Sequence, residues 1–221
     1  VCSSISPNQW LCKLDVRKYY DSIDHGILKK MLERKFKDPR LLHIFFLIID
    51  SYESVEGKGL PIGNLTSQYF ANMYLSGLDH YAKEILKVKL YVRYMDDILM
   101  AFNEKATMKE TEYCLRTYVE TQLLLELKPP VCAKGKTGSV FLGYRVSPNC
   151  LKLSGRSKRR FRSKYTMYKK KLELGVFSER EYQIHLLPLL AFVLHANSKC
   201  FRRACFKYIP KSCAPKVGRT A

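Results

Sequence analysis

Apolar and polar positions around an acidic pair predict a β-hairpin in residues 90–102. β-Branched, aromatic and aliphatic side chains recur at period two on both sides, which is typical of two half-buried strands. The interruption at Met95-Asp96-Asp97 has the length of a tight turn, which would lift the acids clear of the sheet. Aspartates are common in ordinary turns, so this pattern alone indicates a hairpin and nothing more.

The segment before the hairpin predicts a strand followed by helices. Residues 10–16 mix apolar and polar positions as a buried strand does. Asp24 is a good N-cap for a helix that Pro39 would end. Apolar residues at helical spacing predict two more helices, one over residues 41–50 and one long helix over residues 67–85.

The segment after the hairpin predicts a helix, a strand and then a second domain. The helix covers residues 108–123 and the strand covers residues 140–146. This order of elements indicates an α+β fold with antiparallel strands rather than a regular βαβ repeat. A shift to a strongly basic composition places the domain boundary between residues 1–147 and 148–221, and the second domain is expected to be helical.

The composition favours a polyanionic partner. Lysine and arginine total 39 against 20 acidic residues, a formal charge of +19, and nucleic acid is the default partner for such an excess. No apolar run reaches the length of a membrane span and no signal peptide opens the chain, so we expect a soluble cytoplasmic protein without membrane contact. The eight cysteines contain no Cys-x-x-Cys pair, which indicates reduced thiols rather than a zinc site or a disulfide framework.

Three carboxylates are expected to meet at one edge of the sheet. Asp15 ends the first predicted strand, and the turn with Asp96 and Asp97 could pair beside it. A carboxylate at the end of an apolar strand is costly unless it is paired or binds a metal. Hard divalent cations prefer oxygen ligands, and two such ions can activate a hydroxyl while they neutralise a leaving pyrophosphate. This is the chemistry of nucleotide transfer.

Four segments in this order resemble the motifs of reverse transcriptases. They are residues 15–23, residues 63–68, the turn Tyr94-Met95-Asp96-Asp97 and the strand Phe141-Leu142-Gly143-Tyr144. The joint occurrence of these segments over residues 10–146 is specific, whereas the turn string alone is weak. The resemblance implies a right-hand polymerase with a palm in residues 1–147 and a thumb in residues 148–221. It implies an RNA-directed DNA polymerase that extends a DNA or RNA primer on an RNA template with dNTPs.

The resemblance also implies roles for particular residues. Asp15, Asp96 and Asp97 would be catalytic and would hold two magnesium ions, with manganese as the alternative. The backbone of Val16 would be a further metal ligand. The residues implied to bind the nucleotide are Val16, Arg17, Tyr20, Ile62, Gly63 and Gln68. The residues implied to contact the template-primer duplex are Phe141, Leu142, Gly143, Tyr144, Arg156, Arg159, Arg160 and Arg162.

Several of these residues have an ordinary structural alternative. Val16 and Arg17 would offer backbone amides to the triphosphate. Tyr20 matches the steric gate that excludes ribonucleotides, and a ring packed under the strand is the alternative. Ser67 would cap the following helix.

Three basic side chains have weaker assignments. Lys128 and Lys134 are both candidates for the acid that protonates pyrophosphate, although a solvated surface lysine is the expectation for each. His195 is expected to pack or to contact phosphate rather than to act as a base.

Ile62 and Gln68 narrow the resemblance to a subtype. Intron-encoded and retroviral relatives usually have glutamine and proline at these positions, and the form found here resembles reverse transcriptases of bacterial diversity-generating retroelements. Those enzymes copy a template repeat with errors at adenines, assisted by a basic accessory protein. Enzymes from group II introns, retrons or phage defence, and a non-catalytic RNA-binding module, are the alternatives. Because only fourteen residues precede Asp15, the fingers region is expected to be largely missing.

Overall fold

A computed structural model of the chain describes residues 2–206. The chain forms two compact units, the first containing residues up to 142 with residues 146–149, and the second containing residues 143–145 with the chain from residue 150 onward. Residues 207–221 of the expected second domain, Cys213 among them, lie outside the described residues. The assignment of the two domains as a palm and a thumb stays a prediction.

A four-stranded antiparallel sheet forms the centre of the first unit. Its strands are β1 (Trp10–Asp15), β2 (Leu90–Tyr94), β3 (Asp97–Phe102) and β4 (Val131–Lys134). They lie in the order β2-β3-β1-β4, and each neighbouring pair is antiparallel. The predicted α+β class with antiparallel strands is therefore confirmed, whereas the short strand β4 was not predicted.

The register of this sheet separates an apolar face from an acidic one. Leu14, Ile98 and Met100 are buried in the core that the helices cover. Because side chains alternate between the two faces of a strand, Asp15 and its direct register partner Asp97 lie together on the opposite face. The sheet thus brings two of the three predicted acids next to each other.

Six helices of the first unit surround the sheet. They are α1 (Tyr19–Ser22), α2 (His25–Lys35), α3 (Pro39–Asp50), α4 (Leu65–Tyr74), α5 (Ser76–His80) and α6 (Lys105–Gln122), with a 3₁₀ turn at Cys2–Ser4 and a π-helical turn at Tyr81–Ile85. Helix α6 buries one stripe of side chains, as its period predicts: Met108, Thr111, Leu115 and Val119.

Two helix predictions were wrong in detail. The single helix expected over residues 67–85 is broken at Leu75, which leaves the helical region at φ −91° and ψ 1°. Pro39 begins α3 instead of only ending the helix before it, because Asp38 caps α3 by accepting a 2.8 Å hydrogen bond from the Arg40 amide. Proline suits the first helical position, where its missing N–H costs nothing.

The strand predicted over residues 140–146 is a hairpin. Strands β5 (Ser139–Phe141), β6 (Tyr144–Ser147) and β7 (Cys150–Leu153) form a second sheet in that order. Leu142 and Gly143 make the connection between β5 and β6 with φ values of +50° and +83°. Positive φ at both central residues is typical of a type I′ turn, which matches the twist of the strands it joins.

The second unit is mainly helical, as expected for its sequence. Its helices are α7 (Gly155–Glu173), α8 (Glu179–Leu194), which contains Pro188, and α9 (Lys199–Cys205). Phe161 of α7 is buried, whereas Met167 of the same helix is 44% exposed. No helix among residues 2–206 combines the length and apolar character that crossing a membrane requires.

Tyr74 should be an important buried anchor of the first unit. Its hydroxyl donates a 2.7 Å hydrogen bond to the Leu123 carbonyl and accepts one of 3.3 Å from the Asp24 amide. We expect Tyr74→Phe to lower the free energy of unfolding by about 1–3 kcal/mol, because two buried backbone groups lose their partner. Urea unfolding measures the change. The exposed Tyr113→Phe serves as the control and should stay within about 0.5 kcal/mol, and equal losses at both positions would contradict this role.

Candidate active site

The acidic turn is shorter than predicted. Tyr94 and Asp97 are register partners at the ends of β2 and β3, so only Met95 and Asp96 form the turn. Asp96 therefore lies at the tip, while Asp97 is the first residue of β3. Met95 has a φ of +53°, a conformation that favours glycine and costs other residues about 1 kcal/mol. Other contacts must hold this turn in place.

Arg93 fixes the turn from inside the sheet. Its Nη1 donates a 3.0 Å hydrogen bond to the Met95 carbonyl, while Nε and Nη2 donate to the two carboxylate oxygens of Asp79 at 2.8 and 2.6 Å. The Tyr91 hydroxyl also donates to Asp79, at 2.8 Å. The Arg93 side chain is only 11% exposed. This anchor was not predicted, although an arginine inside a strand pattern signals that a carboxylate must lie nearby.

Asp15 is held by a segment that follows α6. The Lys128 ammonium donates a hydrogen bond to Asp15 Oδ1, and the Lys128 amide donates to the Asp15 carbonyl at 2.9 Å. Lys128 is exposed, as expected for a surface lysine, but its ammonium is also paired with Asp15. The Arg17 amide donates to the Glu126 carbonyl at 2.8 Å, so this amide, which was expected to bind the triphosphate, is engaged within the chain.

Asp97 is paired with a lysine that the sequence analysis missed. Lys13 Nζ lies 2.8 Å from Asp97 Oδ1, and both side chains are largely buried. This contact is an ion pair without the alignment of a hydrogen bond, and Oδ1 accepts no hydrogen bond from the described residues. The alternation of side chains along β1 could have indicated that Lys13 lies near the acids, because Lys13 and Asp15 are two residues apart and so share a face of the sheet.

The pKa of Asp96 depends on the charges of both other acids, Asp15 and Asp97. Burial raises the pKa of Asp96, and the negative charges of Asp15 and Asp97 raise it further, while Lys128 acts in the opposite direction. Like charges in one site make each ionisation harder, and a cation relieves this cost. Three carboxylates and a buried oxygen without a hydrogen bond fit a hard divalent cation. Within residues 2–206, however, no cluster of three ligating side chains is already arranged as a metal site.

Among the predicted nucleotide residues, Tyr20 has a pKa that responds to the charge of Asp96. Burial raises the pKa of Tyr20, and the charge of Asp96 raises it further. The ring also packs partly against the core, as the structural alternative expected, and the role of Tyr20 as a gate stays a prediction.

The loop before α4 is open to solvent. Ile62 is 78% exposed, and Gly63 has a φ of +103° with no atom near the position of a β-carbon. Gln68 is also exposed, and no described contact joins these three residues to the acids. Ser67 does not cap the helix as expected: Asn64 is the N-cap, and Ser67 Oγ is buried without a hydrogen-bond partner.

Some of the residues expected to contact the template-primer duplex pack within the protein, and others are exposed to solvent. Phe141 is buried, and the Tyr144 hydroxyl donates a 2.7 Å hydrogen bond to the Phe192 carbonyl. Leu142 and Gly143 make the turn described above. The four arginines of α7 that were assigned to this role are exposed: Arg156, Arg159, Arg160 and Arg162.

The structure also places the other two basic side chains that the sequence analysis considered. His195 is exposed rather than packed, which leaves phosphate contact as its remaining predicted role. Lys134 Nζ lies 3.9 Å from the centre of the Trp10 ring, where a cation–π interaction engages it. Lys134 is exposed, as expected for a surface lysine, and it contacts Trp10 at the opposite end of β1 from Asp15.

Comparison with known proteins identifies the family. The sequence pattern of reverse transcriptase (RNA-dependent DNA polymerase) matches residues 2–146, which is more than half of the chain. The chain belongs to this family. Comparison with curated proteins by sequence gave no match.

Solved telomerase structures share the fold. The apo telomerase of Candida tropicalis, truncated from the C-terminal domain, matches with a TM-score of 0.52 and 18% identity over 68% of this chain and 36% of that chain. The telomerase of Candida tropicalis in complex with a TWJ fragment of telomeric RNA matches with a TM-score of 0.55 and 14% identity, over 92% of this chain and 40% of that chain. The telomerase of Candida albicans in complex with a TWJ fragment of telomeric RNA matches with a TM-score of 0.54 and 16% identity, over 91% of this chain and 40% of that chain. The chain thus spans less than half the length of these proteins.

Loss of the Arg93 anchor should destabilise the fold. We expect Arg93→Leu to lower the free energy of unfolding by about 3 kcal/mol, because Asp79 would keep a largely buried charge without its partner. Urea unfolding measures the change. Arg17→Leu is the matched control, since Arg17 pairs with Glu126 where both side chains are mostly exposed, and it should cost at most about 1 kcal/mol. Similar losses for the two variants would contradict the anchor.

Asp96→Asn should stabilise the protein in a pH-dependent way. A carboxyl group whose pKa is raised on folding destabilises the fold when ionised; this penalty is complete above the folded pKa and disappears as the pH falls below the ordinary value. The variant should therefore melt about 2 °C higher near neutral pH, and this difference should disappear by about pH 3, below the ordinary pKa of the group. Thermal unfolding across this range, with the exposed Glu110→Gln as control, measures the effect. A pH-independent difference would contradict it.

Proposed function

We propose that the chain is the catalytic part of an RNA-directed DNA polymerase that extends a primer 3′-hydroxyl with deoxynucleotides. The observation that carries this proposal is the meeting of Asp15, Asp96 and Asp97 within a domain of the reverse transcriptase family. These carboxylates, with the Val16 backbone, would hold two magnesium or manganese ions. When bound, such ions favour ionisation of the attacking hydroxyl and neutralise charge on the leaving pyrophosphate.

Lys128 is the better candidate for the acid that protonates pyrophosphate. A proton donor must lie within hydrogen-bond reach of the reacting groups, and the Lys128 ammonium already contacts Asp15. Lys134 instead lies over the Trp10 ring. Lys128 is half exposed, so its ammonium can reach a bound substrate, whereas the ion pair with Asp15 holds it at the site.

Charge and exposure support a nucleic-acid substrate. The net charge of +19 favours phosphate binding, and the exposed arginines of α7 offer bidentate donors to a phosphate backbone. The two Candida telomerases of similar fold are each in complex with a fragment of telomeric RNA, which supports an RNA template here. The charge of Asp96 raises the pKa of Tyr20, and Tyr20 is proposed as the gate that excludes the 2′-hydroxyl of a ribonucleotide.

For the subtype, we favour an enzyme of a diversity-generating retroelement. Ile62 is exposed in the loop that resembles a nucleotide-binding motif, and an isoleucine cannot form the side-chain hydrogen bond that a glutamine would. Weaker discrimination at adenines would follow, and a basic accessory protein would assist. A non-catalytic RNA-binding module is the second candidate, which the basic α7 favours.

Primer extension on an RNA template tests the proposed function. We expect magnesium-dependent extension that Asp96→Asn lowers by at least about 100-fold, because transition-state stabilisation worth several kcal/mol is lost. Lys128→Met should lower the rate by about 100-fold, while Lys134→Met, the matched control, leaves it unchanged.

Three outcomes separate the alternatives. Extension that Asp96→Asn does not reduce would exclude the proposed site. Salt-sensitive RNA binding without extension would favour the binding module. Sequencing the products of an active protein tests the subtype, since errors spread evenly over the four bases would exclude the favoured one.

A further inference from the structure

Two cysteines face each other across the edge of the central sheet. Cys12 of β1 and Cys132 of β4 are direct register partners. The Gly135 amide donates a 2.7 Å hydrogen bond to the Gln9 carbonyl, so Gln9 and Gly135 form a hydrogen-bonded pair. Hydrogen-bonded and non-hydrogen-bonded pairs alternate along an antiparallel ladder, and Cys12 opposite Cys132, three positions along, is therefore a non-hydrogen-bonded pair.

Such a pair suits a disulfide bond. Opposite residues in non-hydrogen-bonded pairs have α-carbons about 4.5 Å apart and side chains that lie close together. Disulfides need α-carbons separated by about 4.4–6.8 Å, so the backbone already has a permissive spacing. Cys132 also contributes to the raised pKa of the Cys12 thiol, as expected for two sulfur atoms that lie close together. In the four-stranded sheet, no other two cysteines are register partners.

The two thiols differ in their access to solvent. Cys132 is exposed on the edge strand β4, whereas Cys12 is buried in the core. Burial raises the pKa of the Cys12 thiol, which keeps it protonated. An oxidant from solution therefore reaches Cys132 first, and Cys12 is the neighbour that can resolve the product.

We propose that Cys12 and Cys132 form a two-electron oxidation site, which a hydroperoxide converts to a disulfide across β1 and β4. The Cys132 thiolate attacks one peroxide oxygen: a sulfur–oxygen bond forms, the oxygen–oxygen bond breaks, and water leaves after protonation. The Cys12 sulfur then attacks the Cys132 sulfenic acid: the disulfide bond forms, the sulfur–oxygen bond breaks, and the leaving hydroxide takes the Cys12 proton as water. Two thiols are oxidised and one hydrogen peroxide is reduced to two waters.

The bond should be reversible. The exposed sulfur of Cys132 gives a thiol reductant access to the disulfide, and exposed disulfides are the more labile ones. This proposal is independent of the proposed polymerase activity, because it concerns only the chemistry of the two thiols.

Peptide mapping of the oxidised full chain tests the site. Trypsin leaves residues 1–13 as one peptide with two cysteines, so the experiment starts from the Cys2→Ser variant. Reduced protein is treated with equimolar hydrogen peroxide, remaining thiols are blocked with N-ethylmaleimide, and peptides are separated without reductant. We expect residues 1–13 linked to residues 117–134, a mass about 2 Da below the sum of the two peptides, and loss of the linkage with dithiothreitol.

Variants decide whether the bond is specific. Cys132→Ser on the exposed strand should abolish the linked peptide, and so should Cys12→Ala, whereas Cys114→Ser should leave it unchanged. Two blocked thiols after peroxide treatment, sulfinic acid on Cys132 without a linked peptide, or linkage of Cys132 to a different cysteine would each overturn the proposal.

Discussion

Repulsion among three carboxylates is the constraint on which the site depends. The register of β1 and β3 sets Asp15 directly opposite Asp97, and the hairpin adds Asp96 beside them. Like charges directly opposite each other destabilise a sheet. The fold compensates with Lys128 on Asp15 and Lys13 on Asp97. Burial is the largest cause of the raised pKa of Asp96, and the charges of Asp15 and Asp97 still raise this pKa further. The site therefore retains an attraction for further positive charge.

The backbone at the hairpin tip is held as firmly as the charges. Met95 has a left-handed conformation that a methionine does not prefer, and its carbonyl is bound by Arg93. Arg93 is in turn fixed by both carboxylate oxygens of Asp79. Strain at the tip is thus offset by an ion pair in the interior of the same unit, which places Asp96 in one defined position.

Local patterns in the sequence predicted the elements, but not the contacts between distant segments. The period of two identified the hairpin, and four ordered motifs identified the acids and the family. The ion pairs of Lys13 and Lys128 were not predicted, because their partners are set by the register of β1 with β3 and by the pairing of residues 126–128 with the end of β1. The period of β1 places Lys13 on the same face as Asp15, but no local pattern shows which segments pair with β1. The hairpin turn at Leu142 was missed because leucine rarely has the positive φ that it has here.

The two lysines that compensate the acids are not equivalent, and this difference bears on the proposed chemistry. Lys13 projects from a central strand and its side chain is 19% exposed, so its charge stays beside Asp97. Lys128 follows a helix and its side chain is 48% exposed, so its ammonium can leave Asp15 at little desolvation cost. One acid thus has a fixed counter-charge and the other an exchangeable one. In the proposed reaction, a cation that replaced Lys128 at Asp15 would free the ammonium next to the place where pyrophosphate would leave, so a stabilising ion pair and a proton donor can be the same group.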